Sequence, residues 1–112
     1  MDMKTYLSVS EILHSVATGI ANAKRPAYTI GSDDVLRNFK SVAERIGVTP
    51  MQVWAVYFLK HIDAISALAK SEAIPQAEAI EGRFADALNY LDLGYALYKE
   101  KQNIGVATIV PK

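Results

Sequence analysis

The sequence predicts an all-α protein, a compact bundle of four main helices. Apolar residues recur at spacings of three and four along four segments, which is the pattern of amphipathic helices. Helix start and stop signals separate these segments from one another. The length of 112 residues and the apolar content of 51% suit one small domain with a hydrophobic core. We therefore expect a single helical domain over 1–112, with a core in about 8–101 and a tail over 102–112.

The first helix is predicted over 8–23. Ser8 and Glu11 stand at the spacing of a capping box at its start. Pro26 ends the helix, because proline lacks the backbone N–H that a helix interior needs. The segment 24–34 is then a loop of about ten residues between the first and second helices. Helix connections usually take about two to eight residues, so this long loop suggests a functional role.

The second and third helices have clear boundary signals. Asp33 or Asp34 can cap the second helix, and Gly47 is a natural residue to follow its end. Thr49 as N-cap, with Pro50 at the first helical position, predicts the start of the third helix. The early part of this helix is apolar nearly all round, so we expect it to be central in the bundle.

The fourth helix is predicted over 76–101, after an interruption at 71–75. Its predicted core stripe consists of Ile80, Phe84, Ala87, Leu88, Leu91 and Tyr95. The short extended C-terminal tail is β-branched, and it can be an edge strand, an arm that reaches a neighbouring subunit, or a disordered end.

Charge and composition narrow the functional classes. Twelve basic and twelve acidic residues leave no formal net charge, which argues against general DNA or RNA binding. Without cysteine the chain has no disulfide, thiolate nucleophile or cysteine-ligated zinc, as suits a reducing compartment. No apolar run approaches the roughly 18 residues of a membrane span. We expect a cytoplasmic protein without membrane contacts.

A polar cluster is predicted on the fourth helix, because Arg83, Asp86, Asn89 and Tyr90 are spaced by three and four and share a face. One interpretation is a surface Arg83–Asp86 pair, with Asn89 bonded to a loop backbone. The other is a polar cluster in a groove of the bundle, where Asn89 reads a base edge or ribose and Arg83 meets a phosphate.

Two further groups of polar residues suit a nucleotide. Lys24, Arg25 and Tyr28 offer two cations and an aromatic ring within five positions, although basic residues also stabilise a helix C-terminus. Lys60 follows a mostly hydrophobic run, so its ammonium group must either extend to solvent or meet an anion. The adjacent His61 is either a structural histidine or part of the same site.

Known catalytic motifs are absent: the sequence has no P-loop, GxGxxG, HExxH or nucleophile elbow. Glu78 and Glu81 form an ExxE pair with Asp86 downstream, similar to the magnesium-binding carboxylates of all-α nucleoside triphosphate pyrophosphohydrolases. Those enzymes need a second acidic pair, which the sequence does not supply.

Several weak motifs occur together in a characteristic order over 24–100: K-x3-Y, DDVLRNF, G-x-x-P, KH and R-x-x-D-x-x-NY. This order resembles the small, mostly phage-encoded helical proteins of the nucleotide-modification-associated type 1 family. The resemblance points to Lys24, Tyr28, Asp34, Asn38, Phe39, Lys60, Asp86, Asn89 and Tyr90. Ala27 and the Lys60–His61 pair stand where the family usually has an acidic residue, and this departure favours binding a polyanion over hydrolysing it.

The resemblance implies a role in phage nucleotide modification, and other small phage proteins that sequester cyclic nucleotide signals of bacterial immunity suggest a second role. The preferred hypothesis is a homo-oligomeric nucleotide-binding protein that sequesters a phosphorylated nucleotide without catalysis, as a phage anti-defence sponge does. In this hypothesis no cofactor is needed. The expected ligand-binding residues are Lys24, Arg25, Lys60 and Arg83 for phosphate, Tyr28, Phe39 and Tyr90 for stacking, Asn38 and Asn89 for hydrogen bonds, and Asp34, His61 and Asp86 beside them.

Two alternatives remain open. The first is a magnesium-dependent enzyme or accessory factor of nucleotide modification or hydrolysis, with Asp34, Glu81 or Asp86 on the metal and His61 as general base. The second is a structural helical module that self-associates through exposed aromatic residues, among them Trp54, Tyr57 and Tyr98. The expected homo-oligomer rests on the number of tyrosines and the tryptophan in so short a chain.

Overall fold

The computed structural model describes residues 1–28, 33–70 and 77–102, and these residues form four helices and no strand. The helices are α1 (Met3–Tyr28), α2 (Arg37–Ile46), α3 (Pro50–Lys70) and α4 (Ala77–Lys101). Both α1 and α3 pack against α4, and α2 packs against α3. The predicted all-α bundle of four main helices is confirmed.

The first helix is longer than predicted at both ends. It begins at Met3, and the backbone N–H of Thr5 donates to Asp2 Oδ1 at 2.8 Å, so Asp2 caps it. The predicted capping box at Ser8 is therefore wrong, since this residue lies inside the helix. The predicted end at Pro26 is also wrong, because α1 continues to Tyr28. Pro26 has no N–H to donate to the Asn22 carbonyl, and the helix ends two residues later.

The boundaries around α2 and α3 follow the predicted signals more closely. Gly47 adopts a left-handed conformation with φ of 74°, and its N–H donates to the Ala43 carbonyl at 2.9 Å. At the start of α3, the Gln52 N–H donates to Thr49 Oγ1 at 3.2 Å, and the Thr49 N–H donates to Gln52 Oε1 at 2.8 Å. This reciprocal pair is a capping box, and it places Pro50 at the first helical position as predicted.

The predicted aspartate cap of α2 needs a correction. Leu36 holds the N-cap position of α2 and makes no side-chain cap bond. Asp34 acts one turn earlier, where its Oδ1 accepts the Leu36 N–H at 2.9 Å. Its side chain therefore stabilises the turn that leads into the helix, and Asp33 is exposed.

The main core lies where α2, α3 and α4 meet. Its buried members are Leu36, Phe39, Ala43, Val53 and Leu97. Trp54, which the self-association alternative placed on the surface, packs against this cluster instead. Its indole N–H donates to the Tyr90 carbonyl at 2.6 Å, and the ring covers Gly94, whose missing side chain leaves room for it.

The predicted core stripe of α4 is mostly wrong. Phe84, Leu91 and Tyr95 are 39%, 50% and 63% exposed. Ala87 is the one stripe member that is buried, whereas Ile80 and Leu88 are half-buried. The reason is that α4 packs through a different face, which carries Asp86, Asn89, Tyr90, Leu93 and Leu97.

Several predictions fall on residues that are not described. The predicted tail lies outside the described residues apart from Gln102, as does the part of the predicted loop at 29–32. The first five residues of that predicted loop, 24–28, belong to α1 instead. Among the described helices, none combines the length and apolar character needed to cross a membrane.

Candidate functional site

A cleft between α1, α4 and the segment before α2 brings five of the predicted residues together. The cleft has a volume of about 200 Å³. Its polar lining includes Lys24, Arg25, Asp86, Asn89 and Tyr90. The sequence assigned these residues to two separate groups, and the packing of α1 on α4 unites them.

The apolar wall of the cleft was missed by sequence analysis. Ile20 and Ala21 line it from α1, Val35 from the segment before α2, and Leu93 from α4, with Asp92 beside them. The helical spacing in the sequence could have identified most of these residues. Ile20 and Ala21 precede Lys24 by one helical turn, and Leu93 follows Asn89 by one turn, so each had to share a face with a predicted site residue.

An ion pair joins the two sides of the cleft. Lys24 Nζ lies 3.6 Å from Asp86 Oδ1, and the two side chains are 50% and 23% exposed. This distance is beyond a good hydrogen bond, and partly exposed pairs of this kind contribute little to stability. The predicted partner of Asp86 was Arg83, whereas the ion pair in the structure is made with Lys24 of α1.

Asn89 has a clear structural role. Its Nδ2 donates to the Ala17 carbonyl of α1 at 2.9 Å. The expected acceptor was a loop backbone, and the observed acceptor is a helix carbonyl. The bond ties α1 to α4 directly beside the cleft, so Asn89 holds the two walls together.

Tyr90 connects the cleft to an aromatic cluster behind it. Its ring centroid lies 6.3 Å from that of Phe39, 6.4 Å from that of Tyr57 and 4.8 Å from that of His61. Phe39 is 5% exposed and belongs to the core, so its ring has no face open to a nucleobase. Phe39 therefore positions Tyr90 rather than stacking on a ligand.

His61 lies behind the Tyr90 wall. Its Nδ1 is buried and makes no hydrogen bond to any described residue. Burial lowers the pKa of His61, the nearby Asp86 carboxylate raises it, and the positive charges of Lys24, Arg83 and Lys60 lower it further. The net pKa lies below the ordinary value, which keeps this imidazole neutral near pH 7.

Lys60 and Arg83 are not among the residues that line the cleft. Both side chains are exposed, and both are close enough to His61 to affect its pKa. They therefore add positive potential near the cleft, where an anion carried by a larger ligand can reach them.

The structure does not bring two other predicted residues, Asp34 and Asn38, into the cleft lining. Asp34 Oδ2 lies 2.6 Å from Lys40 Nζ, which also contacts Glu100 Oε1 at 2.6 Å. The hydrogen bond from Lys40 lowers the pKa of Asp34. Asn38 is exposed on α2. Tyr28 is the last residue of α1, and its side chain lies outside the described ones.

The carboxylates named for a magnesium site do not converge in the described part of the chain. Asp34 pairs with Lys40, whereas Asp86 faces Lys24 in the cleft and Glu81 is exposed. No group of three His, Asp or Glu side chains among the described residues is arranged to hold a metal ion. The chemistry that the cleft residues offer is binding of a charged, partly apolar molecule.

No protein-family model, curated protein or solved structure matches this chain.

Proposed function

We propose that this protein binds and sequesters a small phosphorylated nucleotide in the cleft between α1 and α4, without transforming it. The observation that carries the proposal is the cleft itself. It places two cations, Lys24 and Arg25, beside an apolar wall and the Tyr90 ring. Phosphate needs cationic donors, and a nucleobase needs an apolar or aromatic surface.

The charges in the cleft suggest an orientation for the ligand. The phosphate group lies toward Lys24 and Arg25 on α1, because the carboxylates of Asp86 and Asp92 on α4 repel it. These carboxylates are acceptors suited to base amino groups or ribose hydroxyls. The base then packs against the apolar residues, of which Leu93 is the one on α4.

The size of the cleft limits what one chain can enclose. Pockets for small molecules usually measure about 300–1,000 Å³, whereas this cleft has about 200 Å³. One nucleotide unit is thus the largest part that a single chain encloses. A cyclic oligonucleotide immune signal would extend beyond the cleft toward Lys60 and Arg83 or toward a second subunit of a homo-oligomer.

A thermal-shift screen tests the proposal. The protein is heated with linear and cyclic mono-, di- and trinucleotides and with ADP-ribose, with and without magnesium. A sub-micromolar ligand present at tens of micromolar is expected to raise Tm by several degrees, and chromatography is expected to recover it intact. Recovery of a product identifies an enzyme instead, and the absence of any shift overturns the proposal.

Lys24→Ala tests the assignment of the cleft. Loss of one charge-assisted contact costs about 1.5–3 kcal/mol, so we expect the Kd of the best ligand from the screen to rise at least about tenfold. Isothermal titration calorimetry measures the change. Lys4→Ala is the matched control, because Lys4 is an exposed lysine of the same helix that does not line the cleft. Equal affinity of both variants and the parent shows that the ligand binds elsewhere.

A further inference from the structure

The α4 helix has apolar residues on two opposite faces, and only one of them is covered. Leu93 and Leu97 lie on the covered face, which packs in the bundle. On the opposite face Phe84, Leu91, Tyr95 and Tyr98 follow one another at spacings of seven, four and three, and all four are exposed. We call these four residues the outer stripe. A helix that is apolar on opposite faces is usually buried on both.

The N-terminal part of α1 is a second apolar surface without cover. Every residue over 1–9 is exposed, and the segment 3–12, here called the arm, carries Met3, Tyr6, Leu7, Val9 and Ile12, each at least 50% exposed. Tyr6 and Val9 lie on the same face of α1 as Ile20, which lines the cleft. A continuous apolar surface of this kind usually marks a site of interaction with another molecule.

The exposed area matches what a stable dimer buries. The nine side chains of the outer stripe and the arm are each between 39% and 70% exposed. Large apolar side chains carry about 200 Å² of surface each, so the nine together expose on the order of 900 Å², close to the ~800 Å² that each partner buries in a standard interface. The formal net charge of zero means that two copies do not repel each other as wholes.

We propose that a second copy of this chain covers both surfaces in a symmetric homodimer, in which the arm of each subunit lies along the outer stripe of the other. A two-fold interface is reciprocal, so one contact between two different surfaces occurs twice. The arm fits along the outer stripe, since its ten helical residues span about 15 Å and the stripe spans about 21 Å from Phe84 to Tyr98. This inference concerns assembly and does not depend on nucleotide binding.

Two matched leucine substitutions test the interface. Leu91 lies in the outer stripe and is 50% exposed, whereas Leu59 lies on α3 away from the stripe and is 55% exposed. In sedimentation velocity without nucleotide, the parent and Leu59→Lys are expected at twice the 12.3 kDa chain mass, and Leu91→Lys is expected at the single mass with unchanged helical circular dichroism. A monomeric parent, or a dimeric Leu91→Lys, overturns the proposal.

Cysteine cross-linking tests the pairing of arm and stripe. The chain has no cysteine of its own, so mixing Val9→Cys protein with Tyr95→Cys protein reports contacts between chains. Under mild oxidation we expect a disulfide-linked heterodimer in this mixture, and much less in a mixture of Val9→Cys with Leu59→Cys. Equal cross-linking in both mixtures, or none in the first, contradicts the proposed pairing.

These experiments are separate from the test of nucleotide binding. A monomeric parent that still binds a nucleotide retains the proposed function and loses the dimer. A dimer that binds no nucleotide retains the dimer and loses the proposed function.

Discussion

At the scale of single residues, His61 couples the stability of the protein to pH. Its pKa in the folded protein is lowered, chiefly by burial, from the ordinary value of 6.5. The unfolded chain therefore takes up a proton at a higher pH than the folded one. Proton uptake therefore favours the unfolded chain. The contribution of neutral His61 to the free energy of unfolding is present above about pH 6.5 and is lost as the pH falls from there through the lowered pKa.

His61→Phe removes this pH dependence. We expect the fall in Tm between about pH 7.5 and about pH 5.5 to be smaller in His61→Phe than in the parent, because phenylalanine takes up no proton. Scanning calorimetry at the two pH values measures the difference. His14→Phe, which replaces the exposed histidine of α1, is the control for the introduction of a phenylalanine. An unchanged slope in His61→Phe contradicts the assignment.

Gly94 makes close packing of α3 on α4 possible. A Cβ atom at this position would overlap the indole ring of Trp54. The indole cannot easily move, because its N–H donates to the Tyr90 carbonyl at 2.6 Å and its ring stacks on Phe58 with a centroid distance of 5.0 Å. A larger residue at position 94 therefore has to displace the Trp54 side chain and break these contacts.

Gly94→Ala is expected to lower the free energy of unfolding by about 1–3 kcal/mol, the usual cost of overpacking. Gly82→Ala on the same helix is the control, since no atom lies within 4 Å of a Cβ placed there. That change should stabilise the protein by up to about 1 kcal/mol, because alanine is the better helix former. Urea unfolding of both variants measures the contrast, and a stable Gly94→Ala contradicts the packing described above.

At the scale of elements, local signals predicted some helix ends well and others poorly. Gly47 and Thr49 set boundaries through groups within a few residues, and such boundaries can be read from sequence. The start of α1 was misread because the spacing of Ser8 and Glu11 fits a capping box, whereas the cap in the structure is Asp2. The helix extends before Ser8 because Asp2 Oδ1 accepts the Thr5 N–H at its start.

Two alanine substitutions check these helix starts. Thr49→Ala is expected to lower the free energy of unfolding by about 1 kcal/mol, because the Gln52 N–H loses its acceptor at the N-terminus of α3. Ser8→Ala should cause no loss, and a gain of up to about 0.5 kcal/mol is expected because this residue lies inside α1. Unfolding midpoints in urea report both values. A loss of similar size in Ser8→Ala shows that the helix begins there instead.

The face of α4 that packs could not be chosen from the sequence alone. Periodicity shows which residues share a face, and it correctly grouped Asp86, Asn89 and Tyr90. It does not show which face a neighbouring helix covers, and the most apolar stripe was the natural choice. In the structure the polar group packs because Asn89 donates to the Ala17 carbonyl. The most apolar stripe remains exposed in the single chain.

At the scale of the whole molecule, the cleft depends on contacts between residues far apart in the sequence. Lys24 and Asp86 lie 62 positions apart, yet their side chains meet at 3.6 Å. The spacing within each helix identified the basic residues of α1 and the polar residues of α4. It could not show that the two sets meet, because this depends on the packing of α1 on α4. Phe39 was misassigned for the same reason, since an aromatic residue at a core position and one at a binding site look alike in a single sequence.

The proposed dimer also predicts how stability depends on concentration. If folding and association are coupled, each tenfold rise in protein concentration stabilises the dimer by about 1.4 kcal/mol. For an assembly of two such chains this amounts to roughly 3 to 5 °C in Tm.

Scanning calorimetry of the parent over a hundredfold concentration range should show this rise. Leu91→Lys, which removes an apolar contact from the outer stripe, should melt at a lower Tm that does not change with concentration, whereas Leu59→Lys should follow the parent. A concentration-independent Tm for the parent contradicts the proposed dimer. It would mean that the outer stripe and the arm stay exposed to water in the stable protein.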